Sequence, residues 1–319
     1  MKKAVVYPAP RYTDPNDKRM TQIIKRADRA GKHVVNILGV PFDGAVLGRR
    51  GAAAGPAAIR QALSGYSNFN VELGVGLEEA KVLDLGDLMV DNEDTLEAHS
   101  QIEAEVLADL EESSLLVVLG GDNSVSLPSI RACVKRLGKL GLIVIDSHFD
   151  LRGEMEGKPT SGSSYGLAIE TLKELDPRRV VEVGIHGFLN SRSYFEKAKR
   201  LGVTVLTASD VGEVGPEAAA KRAYDIASNG ADSVYLSVDL DAVDLSYVSG
   251  VSAPSAGGMS AGQLFTFVYE LTKKSKLRCA DVVELAPSLD PTGRSERVAS
   301  AAVMYLIAGY VSRARKVRR

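Results

Sequence analysis

The run Leu142-Ile143-Val144-Ile145-Asp146-Ser147-His148-Phe149-Asp150-Leu151-Arg152 decides the fold. Its first four residues are apolar and mostly β-branched, and neither alternating face is polar. They read as a strand buried on both sides. The residues that follow place Asp146, His148 and Asp150 at period two, so on extended backbone their side chains leave one face. Open parallel α/β sheets keep their sites outside the carboxyl ends of their strands, and here a strand of that kind delivers acids at its end.

The same pattern recurs along the chain. Short apolar runs predict strands at 34–38, 81–85, 115–119, 142–145, 180–184, 203–206, 234–238 and 281–284. Amphipathic segments between them predict helices at 56–63, 95–110, 127–137, 193–201, 216–228, 261–273 and 296–311. Strands alternating with helices give an α/β fold of three layers, with helices on both faces of a mostly parallel eight-stranded sheet. No Pro/Gly/Ser-rich linker and no internal repeat interrupts it. The expectation is a single domain over residues 1–319, with residues 1–32 as an irregular N-terminal arm.

Composition narrows the function. The 319 residues are 45% hydrophobic and 25% charged, enough for a large core. A net charge of −2 provides no basic field for nucleic acid. No apolar window reaches spanning length and the N-terminus is no signal peptide, so the chain is expected to be cytoplasmic, with no membrane partner. Cys133 and Cys279 form no spaced framework and are expected to be reduced core residues.

Three further strand ends resemble the first. The run 115–119 leads into Gly120-Gly121-Asp122-Asn123-Ser124, the run 234–238 into Asp239-Leu240-Asp241-Ala242-Val243-Asp244, and the run from 281 into Glu284-Leu285-Ala286-Pro287. A lone strand-end Asp is ordinarily a helix cap or turn acid. Several converging carboxylates, however, repel one another unless cations neutralise them. Oxygen-rich donors with one imidazole suit Mn, Mg or Fe better than a thiolate zinc site. Acids enough for two metals point to hydrolysis by a metal-bridging hydroxide. Of the other histidines, His33 and His99 read as structural, whereas His186 ends a strand and is expected to point into the site.

The motifs resemble those of the ureohydrolases, the family of arginase, agmatinase, guanidinobutyrase and formimidoylglutamase. Gly39-Val40-Pro41-Phe42-Asp43-Gly44 with Gly51 to Arg60 resembles the family's N-terminal signature, and the four strand ends, in order, resemble its metal and C-terminal motifs. The resemblance runs from about Val34 to Ala308. It implies an arginase-like fold and a two-manganese site held by Asn123, Asp146, His148, Asp150, Asp239 and Asp241. It also implies that Asp150 takes a proton and that Glu284 holds a planar amidinium. Two residues depart from the pattern. Asn123 stands where the family usually has His, and its neutral oxygen is a weaker donor, so one metal is expected to bind less tightly. In Ser161-Gly162-Ser163-Ser164-Tyr165-Gly166, Tyr165 stands where arginases place a His.

Arg152, directly after the second metal motif, resembles the formimidoylglutamase branch. Formiminoglutamate carries two carboxylates, and guanidinium binds carboxylate bidentately. The expected activity is hydrolysis of N-formimino-L-glutamate to L-glutamate and formamide, with Arg152, Ser161, Tyr165, His186, Asn190, Arg192 and Arg294 as candidate substrate contacts. An agmatinase or another guanidino-acid hydrolase is the alternative within the family. A catalytically silent binding or scaffold protein is the alternative outside it. The resemblance further implies a homo-oligomer, a trimer or a hexamer.

Overall fold

The computed structural model describes residues 1–9, 14–32 and 34–318. His33, expected to open a strand, lies outside them. The strands are β1 (Lys2–Lys3), β2 (Ile24–Arg26), β3 (Val35–Gly39), β4 (Phe69–Asn70), β5 (Val75–Gly76), β6 (Val82–Leu88), β7 (Leu115–Leu119), β8 (Leu140–Ile145), β9 (Val180–Ile185), β10 (Thr204–Thr207), β11 (Ser233–Asp239) and β12 (Leu277–Val283). The helices are α1 (Met20–Ile23), α2 (Gly55–Leu63), α3 (Thr95–Glu112), α4 (Ser126–Leu137), α5 (Ser164–Thr171), α6 (Arg192–Leu201), α7 (Ala208–Val214), α8 (Pro216–Ala227), α9 (Ala261–Thr272) and α10 (Arg294–Arg318).

The eight strands expected from the sequence form one continuous parallel set, in the order β6-β3-β7-β12-β11-β8-β9-β10. Among the described residues the sheet has ten strands rather than eight. β1 and β2 both pair with β6, β1 antiparallel to its end and β2 parallel to its start. The N-terminal arm is therefore not irregular throughout. β6 runs three residues past its expected end, and its open edge carries N–H and C=O groups that need partners. The segments around Lys2 and Ile24 supply them.

Alternation along the strands builds two cores. Leu115, Val117, Leu119, Ile143, Ile145, Val234, Leu236 and Val238 face one side. Leu116, Val118, Leu142, Val144 and Tyr235 face the other. Helices α2, α8, α9 and α10 cover the first face through residues such as Ile59, Ala223, Phe267 and Leu306. Helices α3, α4, α5 and α6 cover the second through Ile102, Ile130, Leu167 and Ala198. Caps set the boundaries: Asp94 accepts from the Glu97 N–H at the start of α3, and Ser260 with Gln263 forms a capping box on α9. Helix α5 was missed because its serine-rich start resembles a loop, and α7 because it is only seven residues long. Cys133 and Cys279 are buried and free, as expected.

A buried charge cluster ties α2 to the sheet edge. Arg60 donates to Asp84 at 2.7 and 3.0 Å and to Asp87 at 2.5 Å. Tyr7 donates to the same Asp84 carboxylate. Arg60 and Asp84 are almost wholly buried, so removing one partner strands the other. Replacing Arg60 with Met should destabilise the protein by about 3–5 kcal/mol in denaturant titration. Adding Asp84→Leu should recover much of that loss. If the single variant loses less than about 1 kcal/mol, the cluster is not what fastens this edge.

Candidate metal centre and catalytic cleft

Strand register brings the acids together. Val238 pairs with Ile145, Asp239 with Val283, and Val282 with Leu119. Four strands thus end level, and Asp146, Asp239, Asp241, Glu284 and Asn123 follow within a few residues. The strand-end turns are tight. A Cβ on Gly121 would lie 1.7 Å from the Phe42 carbonyl oxygen, so this close approach requires glycine. Asp150 and Glu284 have φ of 47° and 69°. That left-handed backbone costs non-glycine residues on the order of 1–3 kcal/mol. Hydrogen bonds hold both in place: Gly166 N–H donates to the Asp150 carbonyl at 3.0 Å, and Glu284 N–H to the Gly121 carbonyl at 2.8 Å.

Asp146, His148 and Asp241 present ligand-type atoms within 4.8 Å of one another. His148 Nδ1 lies 2.9 Å from Asp241 Oδ2. Ser147 Oγ donates to Asp241 Oδ1 at 2.8 Å, and His148 N–H to Asp146 Oδ1 at 2.6 Å. Asn123 Nδ2 is 2.5 Å from Asp150 Oδ2 and 3.4 Å from Asp146 Oδ2. Asn123 N–H donates to Glu284 Oε1 at 2.8 Å. Glu284 Oε2 is buried with no protein partner.

The electrostatics are those of an acid cluster short of positive charge. Burial, and then repulsion from Asp241 and Asp150, pushes Asp146 well above the usual carboxylate range. Asp239 is pushed well up by burial and by Asp241 and Asp146, and Glu284 by burial and Asp122. Burial raises Asp150 to about 7 even with His148 opposing it. Burial opposes charge on His148 and Asp241 too, but their hydrogen bond outweighs it. The His148 pKa rises to about 9 and that of Asp241 falls. Protein groups alone do not compensate these charges. Divalent cations would, and a set of carboxylates, one imidazole and one amide is the donor chemistry that hard or borderline cations take.

A cavity of about 470 Å³ opens over the cluster, lined by Asn123, His148, Asp150, Asp239, Asp241 and Glu284. Arg152, Ser161 and Asn190 line it as well. Arg152 N–H is fastened to the Gly162 carbonyl at 3.1 Å, and its guanidinium lies 5.3 Å from the centre of the Tyr194 ring. Asn190 is held by the backbone around Ser147 and Phe149.

Four expected substrate contacts lie elsewhere. Tyr165 is fully buried beneath Asn123, to whose side chain its hydroxyl bonds at 2.8 Å, so it does not reach the cavity. His186 is turned to the Gly184 carbonyl and to Ser255 Oγ, at 2.7 and 2.6 Å. It lines an adjoining cavity of about 680 Å³ together with Arg192, which opens α6. Arg294 is exposed and donates to Thr292 and to the Ser246 carbonyl. His99 is structural, as expected: it meets Ser124 Oγ at 3.1 Å, and burial lowers its pKa to about 4.

Sequence reading missed Ser147, which steadies Asp241, and the cavity-wall residues Leu47, Tyr194 and Ser252. It also missed Ser126, Ser237, Tyr235 and Asp281 beneath Asn123. Asp281 carried a signal, as an acid between the apolar residues Cys279, Ala280, Val282 and Val283 of a central strand.

Fold and cleft together define a metal-dependent hydrolase built on a parallel α/β sheet. The arginase family profile matches residues 33–309, and the chain belongs to that family. The formimidoylglutamase of Halalkalibacterium halodurans is 32% identical over 287 residues, covering 89% of this chain and 88% of that one. The crystal structure of Bacillus subtilis formimidoylglutamase superposes with a TM-score of 0.90 at 26% identity, over 96% of each chain. That of Trypanosoma cruzi formiminoglutamase with Mn2+ gives a TM-score of 0.85 at 29% identity, over 93% of this chain and 99% of that one. No helix among the described residues is long and apolar enough to cross a membrane.

The proton inventory predicts pH-dependent metal binding. A cation must displace the proton that His148 holds up to about pH 9 and the one that Asp150 holds up to about pH 7. Mn2+ affinity should therefore tighten from pH 6 to pH 9. Calorimetry in two buffers of different ionisation enthalpy should show proton release that grows as pH falls. Affinity that is flat with pH, with no proton release, would contradict this picture of the cleft.

Proposed function

We propose that the protein hydrolyses N-formimino-L-glutamate to L-glutamate and formamide with Mn2+ bound in the cleft, two ions per subunit. One observation carries the reading. A single cavity holds a buried carboxyl with a free oxygen, Glu284 Oε2, together with an exposed guanidinium, that of Arg152. The first suits an N–H of a planar amidinium, and the second suits a substrate carboxylate. Formiminoglutamate has both ends. Similarity to the formimidoylglutamases supports the same choice.

Asn123, Asp146, His148, Asp150, Asp239 and Asp241 would hold the metal. When bound, Mn2+ supplies Lewis acidity that lowers the pKa of a water. Glu284 orients the formimino group through its free oxygen, while its other oxygen stays fixed by the Asn123 N–H. Asp150 receives the proton that the attacking water gives up and returns it to the departing amine. Water adds to the formimino carbon, the bond from that carbon to the glutamate nitrogen breaks, and the amine leaves carrying the returned proton. Arg152 grips a substrate carboxylate away from the reacting carbon. A catalytically silent scaffold would have no use for this uncompensated acid cluster. The same reading carries a cytoplasmic homo-oligomer, a trimer or a hexamer, which sedimentation analysis would measure.

The test is a substrate panel with Mn2+. Formiminoglutamate should be turned over faster than agmatine, guanidinobutyrate or arginine. Arg152→Ala should raise KM more than it lowers kcat, because the contact is made equally in ground and transition states. Losing a charge-assisted bidentate contact costs about 2 kcal/mol, roughly thirty-fold in kcat/KM. Arg152→Lys should recover only part of it, since an ammonium cannot form the fork. A preference for agmatine or guanidinobutyrate would sink the substrate assignment and leave the hydrolase standing.

A further inference from the structure

Beneath Asn123 lies a buried cluster of hydroxyls. Ser126 Oγ and Tyr165 Oη both touch the Asn123 side chain, at 3.0 and 2.8 Å. Ser126 also meets Asp281 at 2.7 Å, and Tyr165 meets Ser237 Oγ at 2.9 Å. Ser237 and Tyr235 both donate to Asp281, at 2.7 and 2.5 Å. Every member is essentially inaccessible to solvent, so each pair of polar atoms must be satisfied within the cluster.

The protons can be counted. Six pairs of these atoms lie within 3.0 Å, with a looser seventh between Ser126 Oγ and Ser237 Oγ at 3.3 Å, and the four hydroxyls of Ser126, Tyr165, Ser237 and Tyr235 supply four protons. If Asn123 turns its carbonyl oxygen down into the cluster, two of the six shorter pairs hold no proton and bring lone pairs together. A proton on Asp281 would mend only one of them. If Asn123 turns its NH2 down, its two protons complete the six, and Ser126 Oγ and Ser237 Oγ at 3.3 Å are left in van der Waals contact. Ser126 and Tyr165 then accept from the amide, Ser126 and Ser237 donate to Asp281, Tyr165 donates to Ser237, and Tyr235 donates to Asp281. Asp281 stays an ionised acceptor, with the Val238 N–H at 3.3 Å as a further donor. The two ends of an amide have nearly the same shape, so hydrogen bonding decides which way it faces.

On its other side, the amide end that faces Asp150 Oδ2 stands 2.5 Å away. An NH2 there satisfies the carboxylate. A carbonyl oxygen at that distance is repelled unless a cation lies against both oxygens. The cluster below favours one orientation, and the carboxylates above favour the other until a cation is bound.

We propose that Ser126, Tyr165 and Ser237, anchored on Asp281, are positioning residues: they hold the Asn123 NH2 and so present to the cleft the carbonyl oxygen that would meet the metal. The proposal rests on the metal-hydrolase reading above. Tyr165 takes on a specific role in it: it accepts from the amide and donates to Ser237, which a histidine at Asn123 would not require in the same form.

The test is Mn2+ binding, not turnover. Free Mn2+ is followed by electron paramagnetic resonance during titration of the wild type, Tyr165→Phe, Asn123→Ala and the double variant. Thermal midpoints are measured in chelator. Tyr165→Phe should weaken one class of Mn2+ site about ten-fold, the scale on which outer hydrogen-bond partners act on a metal. The other class, centred on His148, should be unchanged. In the Asn123→Ala background, Tyr165→Phe should cause no further loss, since it acts through Asn123. If Tyr165→Phe does not fold, Ser126→Ala and Ser237→Ala carry the same cycle. The proposal is overturned if the hydroxyl variants bind both classes as the wild type does, or if the loss persists at full size in the Asn123→Ala background. Failure of the wild type to bind Mn2+ at all would bring down the hydrolase reading as well.

Discussion

Asp146, Asp239, Asp241 and Glu284 are buried, and Asp150 half-buried, at the end of one sheet, and their mutual repulsion is the constraint to which the surrounding structure answers. One imidazole and one amide stand among them. His148 pairs directly with Asp241, and its opposing pull on Asp150 does not overcome burial there. The backbone at Asp150 and Glu284 is held in a left-handed conformation that few acidic residues adopt. Such strain persists because a rigid sheet beneath it, its strands ending level, leaves the chain no cheaper path. A site of this kind stores unfavourable energy that bound cations release, which ties the stability of the cleft to the chemistry it performs.

The protein buries carboxyl groups in other ways, and the contrast is instructive. Asp84 is paired with Arg60, whose guanidinium matches it at two points. Asp281 is met by three hydroxyls and a backbone N–H. Glu182, on β9, has neither oxygen hydrogen-bonded, and burial pushes it well above the usual carboxylate range. Among the described residues, several acids crowd together short of positive charge at the strand ends. That difference separates a functional cluster from structural ones more sharply than the number of acids does.

The sequence by itself determined the sheet and the place of the chemistry. Largely apolar runs of four or five residues are best satisfied by burial on both faces, so β7, β8 and β11 could be read directly, as could the acids at their ends. The period-two spacing of Asp146, His148 and Asp150 carries its geometry within a few residues. Relations between distant segments decided the rest. β1 and β2 joined the sheet because β6 had an open edge, which no local pattern records. Arg294 and His186 were claimed by nearby carbonyls and hydroxyls, and Tyr165 was folded under Asn123 rather than beside the substrate. Asp281 and its hydroxyls come from strands and helices far apart in the chain, and only their packing makes them one network. Local periodicity is a property of a few consecutive residues, whereas a hydrogen-bond partner is chosen by whatever the fold brings within 3 Å, and that choice belongs to the tertiary structure alone.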